Sequence, residues 1–302
     1  MENMGLYQKI STLLPGVELR SDELMSRHTS FRIGGPVAVM ALPKNADELS
    51  DILRVLSQLD CKPAILGAGT NVLAPDEGMP GVVICLKDCM DGMEQLDDNR
   101  IRIAAGVTMT RAAVFAAGLG LGGLEFAHGI PGTVGGGVYM NAGAYDGEIS
   151  QVCESVTVMK MDGSMHIWTN EDMCFSYRHS RLEDEGGIVV SAVFCLEKKP
   201  ESEIRARMQE LLQKRKNSQP LDYPSAGSAF KRPVGGYAAA LIDQTGLKGY
   251  RIGGAEVSTK HAGFVVNAGG ATADDVKKLL CSVSEKVYAH TGIRLEPEVR
   301  IW

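Results

Sequence analysis

Between Val37 and Leu66 the apolar residues change their spacing twice. VAVMAL (37–42) is a continuous apolar run, Leu49, Ile52, Leu53, Val55 and Leu56 then recur at helical intervals, and Ala64-Ile65-Leu66 is apolar again. A short apolar run bounded by breakers fits a buried strand, and i, i+3, i+4 spacing is one face of a helix. Pro43 and Asn45 interrupt the chain just before Ala46, so the pattern predicts strand, helix, strand, ending at Gly67. Short β-type runs follow at 82–86, 101–105, 155–160, 165–168 and 188–196, with one helix at about 109–118 among them. Asp162-Gly163, between the third and fourth runs, is a hairpin turn signal. Residues 1–26 read as an N-terminal helical segment, and Glu201 to Asn217 as a charged amphipathic helix. The two prolines of SQPLDYPSAG (218–227) then mark a domain boundary. Beyond it the pattern predicts a helix at about 236–245, a strand at 263–267, a long helix capped by Thr272 and a final strand, IRLEPEVRIW (293–302).

Composition narrows the partners. With 302 residues and 44% hydrophobic content the chain is long enough for two or three domains with real cores. The formal net charge is −6, and no basic run exceeds the helical QKRKNSQ, so there is no electrostatic footprint for nucleic acid or an anionic membrane. A small-molecule partner is expected. Seven cysteines, an odd number with no C-x-x-C pair, match neither a disulfide framework nor a structural zinc site, and fit a reducing cytoplasm. MENMGLYQKISTLLPGVELR has no apolar core of signal-peptide length, and no run approaches the roughly 18 apolar residues of a membrane span. The six histidines form no H-E-x-x-H or similar cluster, so no metal is implied.

Two glycine-rich loops carry the chemistry. The first, LGAGTNVL (66–73), leaves a predicted strand directly. It departs from the dinucleotide-binding G-x-G-x-x-G because Val72 takes the third glycine's place and Pro75 stops any following helix. No Gly-Lys-Ser/Thr follows, which excludes a Walker loop. What remains is either a tight turn or a concavity of successive N–H groups suited to a pyrophosphate. The second loop, GIPGTVGGGVYMNAGAYDG (129–147), holds seven glycines in nineteen positions. Two such loops about 60 residues apart are able to line a long nucleotide that lies against bare backbone.

At this point the chain resembles a known family. HTSFRIGGP (28–36), LGAGTNVL (66–73), GIPGTVGGGVYMNAGAY (129–145), YRHS (177–180), PSAGSAFK (224–231) and LEPEVR (295–300) are similar, in order and over nearly the whole chain, to the sequence blocks of the UDP-N-acetylenolpyruvoylglucosamine reductases. The resemblance implies an α+β fold. Residues 27–195 would be a two-subdomain FAD-binding domain of the vanillyl-alcohol/p-cresol flavoenzyme type, divided at about 85/86, and 196–302 a smaller α/β substrate domain whose last strand returns to the active site. Some flavoenzymes of that wider group tether the flavin through a histidine near the first loop. None occurs in 67–73, so non-covalent FAD is expected. By the same resemblance Gly67, Ala68, Gly69, Thr70 and Asn71 would hold the FAD pyrophosphate, while Gly129, Pro131, Gly132, Thr133, Gly136, Asn141 and Gly143 would pass close to the cofactor.

The implied reaction passes a hydride from NADPH through FAD to the enolpyruvyl methylene of a UDP-sugar, a step of peptidoglycan precursor synthesis. Charge arriving on the neighbouring carbon must spread into the carboxylate, where fixed positive groups stabilise it. Arg178 matches the family's arginine; permanently charged and forked, it suits that role and not proton donation. Ser228 matches the proton donor, for which position matters more than acidity. Glu296 and Glu298 would face the same side of a strand, so spacing does not choose between them; the family motif selects Glu298. Tyr177 and Lys231 are expected substrate donors from their nearness to these blocks. Where some members read Phe-Lys-Asn-Pro this chain reads Phe230-Lys231-Arg232-Pro233, so the asparagine's substrate contact is not carried over. A long insertion with a gating tyrosine, found in one branch of the family, is absent, which places the chain with the shorter branch. No obligatory protein partner is implied. The competing readings are a sugar or alcohol oxidase of the same fold and a flavin-binding protein without catalysis.

Overall fold

The amphipathic stretch around Leu49 becomes the helix Ala46–Gln58, with Leu49, Ile52, Leu53, Val55 and Leu56 buried. Asn45 caps it by accepting the Glu48 N–H at 2.9 Å. The helix connects strand Pro36–Leu42 to strand Ala64–Leu66, as its flanking apolar runs require. The computed structural model describes residues 2–302, and these divide into two compact units.

The first unit comprises 2–22, 38–68 and 80–214. A four-stranded sheet has the order Glu18–Leu24, Pro36–Leu42, Met79–Cys85, Ala64–Leu66, its last pair parallel. A five-stranded antiparallel sheet has the order Met165–Thr169, Cys153–Met159, Ile188–Cys195, Arg100–Ala104, Met93–Gln95. Its Cys153–Met159 and Met165–Thr169 strands are joined by the turn at Asp162-Gly163, where Gly163 has φ +85°. The helix Met109–Gly118 turns Met109, Ala112, Ala113, Ala116 and Ala117 into one continuous core with Ile101, Ile103 and Phe194.

The second unit comprises 23–37, 69–79 and 215–302. An antiparallel sheet of order Ser225–Ser228, Phe264–Asn267, Ala255–Val257, Arg251–Ile252 forms it together with helices Ala238–Gln244 and Ala273–Thr291. The latter buries Val276, Leu279, Leu280, Val283 and Val287. Thr272 opens it with a capping box to Asp275.

Three expectations need correction. The division at 195/196 does not follow the compact units: Phe31, Ile33 and Leu73 lie in the second unit's core, whereas Ile204 and Met208 of helix Glu201–Ser218 lie in the first unit's. Burial of apolar side chains outweighs chain order here, and two early segments join the C-terminal unit. Residues 1–26 are not helical throughout, because helix Glu2–Leu13 gives way to strand Glu18–Leu24. The polar ELRSDEL has no apolar alternation because it forms a charged sheet edge. The final strand shrinks to Arg300–Ile301, parallel to Val72–Leu73, and the residues around Pro297, which has no N–H, make only an isolated bridge to Phe230. Among the described residues no helix is long and apolar enough to cross a membrane, and no group of His, Cys, Asp and Glu could hold a metal ion.

Candidate active site

The two glycine loops meet at one hydroxyl. Thr133, almost fully buried, caps the short helix Val134–Tyr139 through Oγ1, which accepts the Gly136 N–H at 3.3 Å. A Cβ placed on Gly67 would lie 2.5 Å from that oxygen, so bare backbone of the first loop abuts the second. Gly132, with φ +145°, lets the chain turn into the cap.

The glycines around Thr133 have different causes. A Cβ on Gly135 would meet Ala105 Cβ at 2.9 Å, one on Gly137 would meet Met109 Sδ at 2.8 Å, and one on Gly143 would meet Glu148 Cβ at 2.8 Å. The fold itself therefore demands these three. Gly69, at φ +60°, would place a Cβ 2.0 Å from the His28 carbonyl, so it too answers to its own chain. Gly136 is the exception. It is exposed, and its Cβ would find only Thr133 Oγ1 at 3.6 Å, an ordinary contact. Nothing in the packing around it requires a glycine there, so the bare backbone faces outward, as a cradle for a flat ligand must. Beside Gly129, the buried Nδ1 of His128 has no hydrogen-bond partner in the protein, and burial lowers this imidazole's pKa so that it stays neutral. Gly136, exposed beside the Thr133 cap, thus fits a cofactor laid on backbone, whereas Gly67 is already held bare by Thr133 Oγ1. Ala68 and Thr70 are half-buried and Pro131 is exposed.

Asn141, expected beside the cofactor, has a structural role of its own. It is 1% exposed; its Oδ1 accepts the Ser150 N–H at 2.9 Å and its Nδ2 donates to the Ser176 carbonyl at 3.1 Å. Both ends of the side chain are bonded inside the protein, the Nδ2 end to the loop that carries Arg178. That loop is a tight turn in which Ser176 and His179 exchange both backbone hydrogen bonds. Ser180, fully buried, ties its exit to the Tyr139 carbonyl at 2.8 Å. Arg178 sits at φ +56°, strained backbone for a non-glycine residue. Its guanidinium donates to the Gly143 carbonyl at 3.3 Å and lies 5.1 Å from the exposed Tyr177 ring.

Arg178 and Tyr177 belong to the first unit, and Ser228, Lys231 and Glu298 to the second. Ser228 ends strand Ser225–Ser228 with an exposed side chain. One residue on, the Ala229 carbonyl accepts the Glu298 N–H at 2.9 Å, while the Lys231 N–H donates to Glu296 O at 2.8 Å. The sheet therefore brings Ser228 and Glu298 onto adjoining backbone. It also separates the two glutamates: Glu298 is half-buried, whereas Glu296 is exposed and paired with Lys231 Nζ at 2.5 Å. Lys231, expected to meet substrate, thus shares its charge with a surface carboxylate. Burial pushes the Cys89 and Cys153 thiols up to about 11 and about 12, so neither supplies a thiolate at neutral pH.

Sequence reasoning missed Asp76, whose carboxylate accepts the Ala273 N–H at 2.8 Å and pins the 69–79 loop to the N-terminus of helix Ala273–Thr291. Its partner lies 197 positions away, so no local pattern signals it. The Asn141 link to Ser176 was hidden for the same reason.

Comparison with known proteins places this geometry. The model of the family described as UDP-N-acetylenolpyruvoylglucosamine reductase, C-terminal domain, matches residues 219–302, and that of the FAD binding domain matches residues 37–168. A UDP-N-acetylenolpyruvoylglucosamine reductase of Syntrophomonas wolfei is 43% identical over 296 residues, covering 98% of this chain and 99% of its own length. One of Caldanaerobacter subterraneus is 45% identical, covering 98% of this chain and 97% of its own. Among solved structures, the UDP-N-acetylenolpyruvylglucosamine reductase (MurB) of Thermus caldophilus matches with TM-score 0.79 and 37% identity over 95% of this chain and 98% of that one.

Proposed function

Since this chain belongs to the UDP-N-acetylenolpyruvoylglucosamine reductase family, we propose that it uses NADPH, in the cytoplasm, to reduce the enolpyruvyl group of a UDP-N-acetylglucosamine ether to the lactyl ether of UDP-N-acetylmuramate. The chain is an FAD-dependent oxidoreductase with a role in peptidoglycan synthesis. FAD, when bound, would supply the hydride-transfer chemistry between the reductant and the enolpyruvyl methylene carbon. The first loop, Gly67 to Asn71, and the second, from Gly129 through Gly136, would hold it without a covalent tether.

The protein's own groups manage the charge and the proton. As the methylene carbon gains its new C–H bond, the C=C electron pair moves toward the carbon bearing the ether oxygen and spreads into the carboxylate. Arg178 stabilises that charge with a guanidinium held ready by its anchored turn, so little reorganisation is needed during reaction. Ser228 Oγ–H delivers a proton to the carbon, and Glu298 polarises the hydroxyl or the relay that restores its proton. Tyr177 and Lys231 serve the substrate's diphosphate, Lys231 by leaving Glu296. The observation that supports this division of roles most is the adjoining backbone of Ser228 and Glu298, joined through the Glu298 N–H to Ala229 O bond.

The test is NADPH oxidation by purified, FAD-loaded protein. Consumption should begin only when the enolpyruvyl UDP-sugar is added; equal consumption with oxygen alone contradicts the reading and favours an oxidase.

A further inference from the structure

The first glycine loop does more than approach a cofactor. Asn71 Nδ2 donates to the Glu298 carbonyl at 3.3 Å. The Asn71 carbonyl accepts the Arg300 N–H at 2.9 Å, and Leu73 O accepts the Trp302 N–H at 3.1 Å, closing a short parallel ladder of Val72–Leu73 with Arg300–Ile301. On its other side the Glu298 N–H is taken by Ala229 O at 2.9 Å. Both backbone hydrogen-bonding groups of Glu298 are therefore fixed, one by the strand extension that follows Ser228 and one by Asn71. All of these residues lie within the second unit. Glu298 sits just after Pro297, in a segment with no regular strand pairing until Arg300, so these bonds set the backbone from which its side chain departs.

We propose that Asn71 is a positioning residue for Glu298, its side-chain amide holding the Glu298 carbonyl and so the backbone that carries the carboxylate, rather than serving only the cofactor pyrophosphate. The proposal rests on the reading of Glu298 as part of the proton machinery. It makes the loop after strand Ala64–Leu66 serve two purposes: its backbone borders the cofactor cradle at Gly67, and its asparagine side chain orients an acid 227 positions away. Loss of the amide leaves the Glu298 carbonyl without that donor and loosens the backbone between the Glu298 N–H and Arg300 N–H anchors. A shift of about 1 Å in a reacting group slows chemistry on the order of 100-fold.

The test uses Asn71→Ala, Asn71→Asp, Glu298→Gln and the double variant Asn71→Ala/Glu298→Gln. Asn71→Asp keeps the side-chain volume and replaces the donor by an acceptor, so it remains informative if the alanine variant folds poorly. FAD affinity is titrated directly on apoprotein by flavin fluorescence. Reduction of the flavin by NADPH and its anaerobic reoxidation by the enolpyruvyl UDP-sugar are followed separately by stopped flow. The expected result, measured on FAD-saturated Asn71 variants, is reoxidation slowed on the order of 10- to 100-fold more than reduction by NADPH is, whatever the change in FAD affinity. The double variant should be no slower than Glu298→Gln, because residues acting through one group are non-additive. Equal slowing of both half-reactions or additive slowing in the double variant overturns the proposal. Slow reoxidation in Glu298→Gln with normal reoxidation in both Asn71 variants overturns it alone. Normal reoxidation in Glu298→Gln overturns the underlying reading and the proposal with it.

Discussion

Gly136 separates what the fold needs from what the cofactor needs. In Gly136→Leu the new side chain leaves a backbone position whose Cβ has only an ordinary 3.6 Å contact with Thr133 Oγ1, and it enters open space. The apoprotein should fold normally, and replacing a helical glycine gains about 0.5–1 kcal/mol of local stability. FAD should suffer, because four side-chain carbons occupy the cradle. Overpacking of this kind costs about 1–3 kcal/mol, a rise in Kd of roughly 5- to 150-fold. Gly135→Ala is the counterpart: its Cβ would sit 2.9 Å from Ala105 Cβ and 3.2 Å from Ala105 O, so it should lower the melting temperature with or without flavin. The assay pairs apoprotein thermal melts with FAD titration by fluorescence. Wild-type FAD affinity in a well-folded Gly136→Leu protein would refute the placement of the cofactor on this loop.

Three further outcomes follow from the same geometry. Ser228→Ala should leave flavin reduction by NADPH near its normal rate and slow reoxidation by the enolpyruvyl sugar by ~10²–10⁴-fold, with Ser228→Cys recovering part of it; stopped-flow absorbance reads both steps, and equal slowing would assign the serine a shaping role only. Asn141→Ala strands the Ser150 N–H and the Ser176 carbonyl, so it should destabilise the first unit by about 1–3 kcal/mol in urea unfolding and slow reoxidation through a loosened Arg178 turn; unchanged stability would contradict the anchoring role. Asp275 accepts the Gly254 and Thr272 N–H groups, which hold its pKa below the ordinary 3.8. Its contribution is thus complete above that value and lost as pH falls through the lowered folded pKa: Asp275→Asn should melt below wild type at pH 7 and converge with it in acid, and a gap that persists in acid would refute the assignment.

Much of the architecture was legible because its signals are local. Helix Ala46–Gln58 declares itself by five apolar residues on one face and by Asn45, and helix Ala273–Thr291 by Thr272 and Asp275, which lie within four positions of each other. The hairpin at Asp162-Gly163 follows from turn chemistry alone. Strand Glu18–Leu24 was not legible, since a charged sheet edge has no apolar period. Nor was the regrouping of Phe31 and Leu73 with a core formed mainly after residue 225, which depends on contacts that no spacing encodes. At the site, the glycine loops were recognisable as loops, but the reason for each glycine was not. Gly69, Gly135, Gly137 and Gly143 answer to backbone or side chains of the protein itself, whereas a Cβ on Gly136 would meet only Thr133 Oγ1 at 3.6 Å. Asn71 and Asn141 had been grouped with the cofactor by motif position; that their amides also reach Glu298 and Ser176 across the chain was not legible.

The central claim, that the flavin of this protein is a carrier of hydride to an enolpyruvyl sugar, is tested most directly by an anaerobic double-mixing experiment on FAD-loaded protein. NADPH should bleach the oxidised flavin absorbance, and subsequent mixing with the enolpyruvyl UDP-sugar should restore it rapidly, with one lactyl ether formed per flavin reoxidised. Flavin that stays reduced in the presence of the sugar and recovers only when oxygen is admitted would contradict the account.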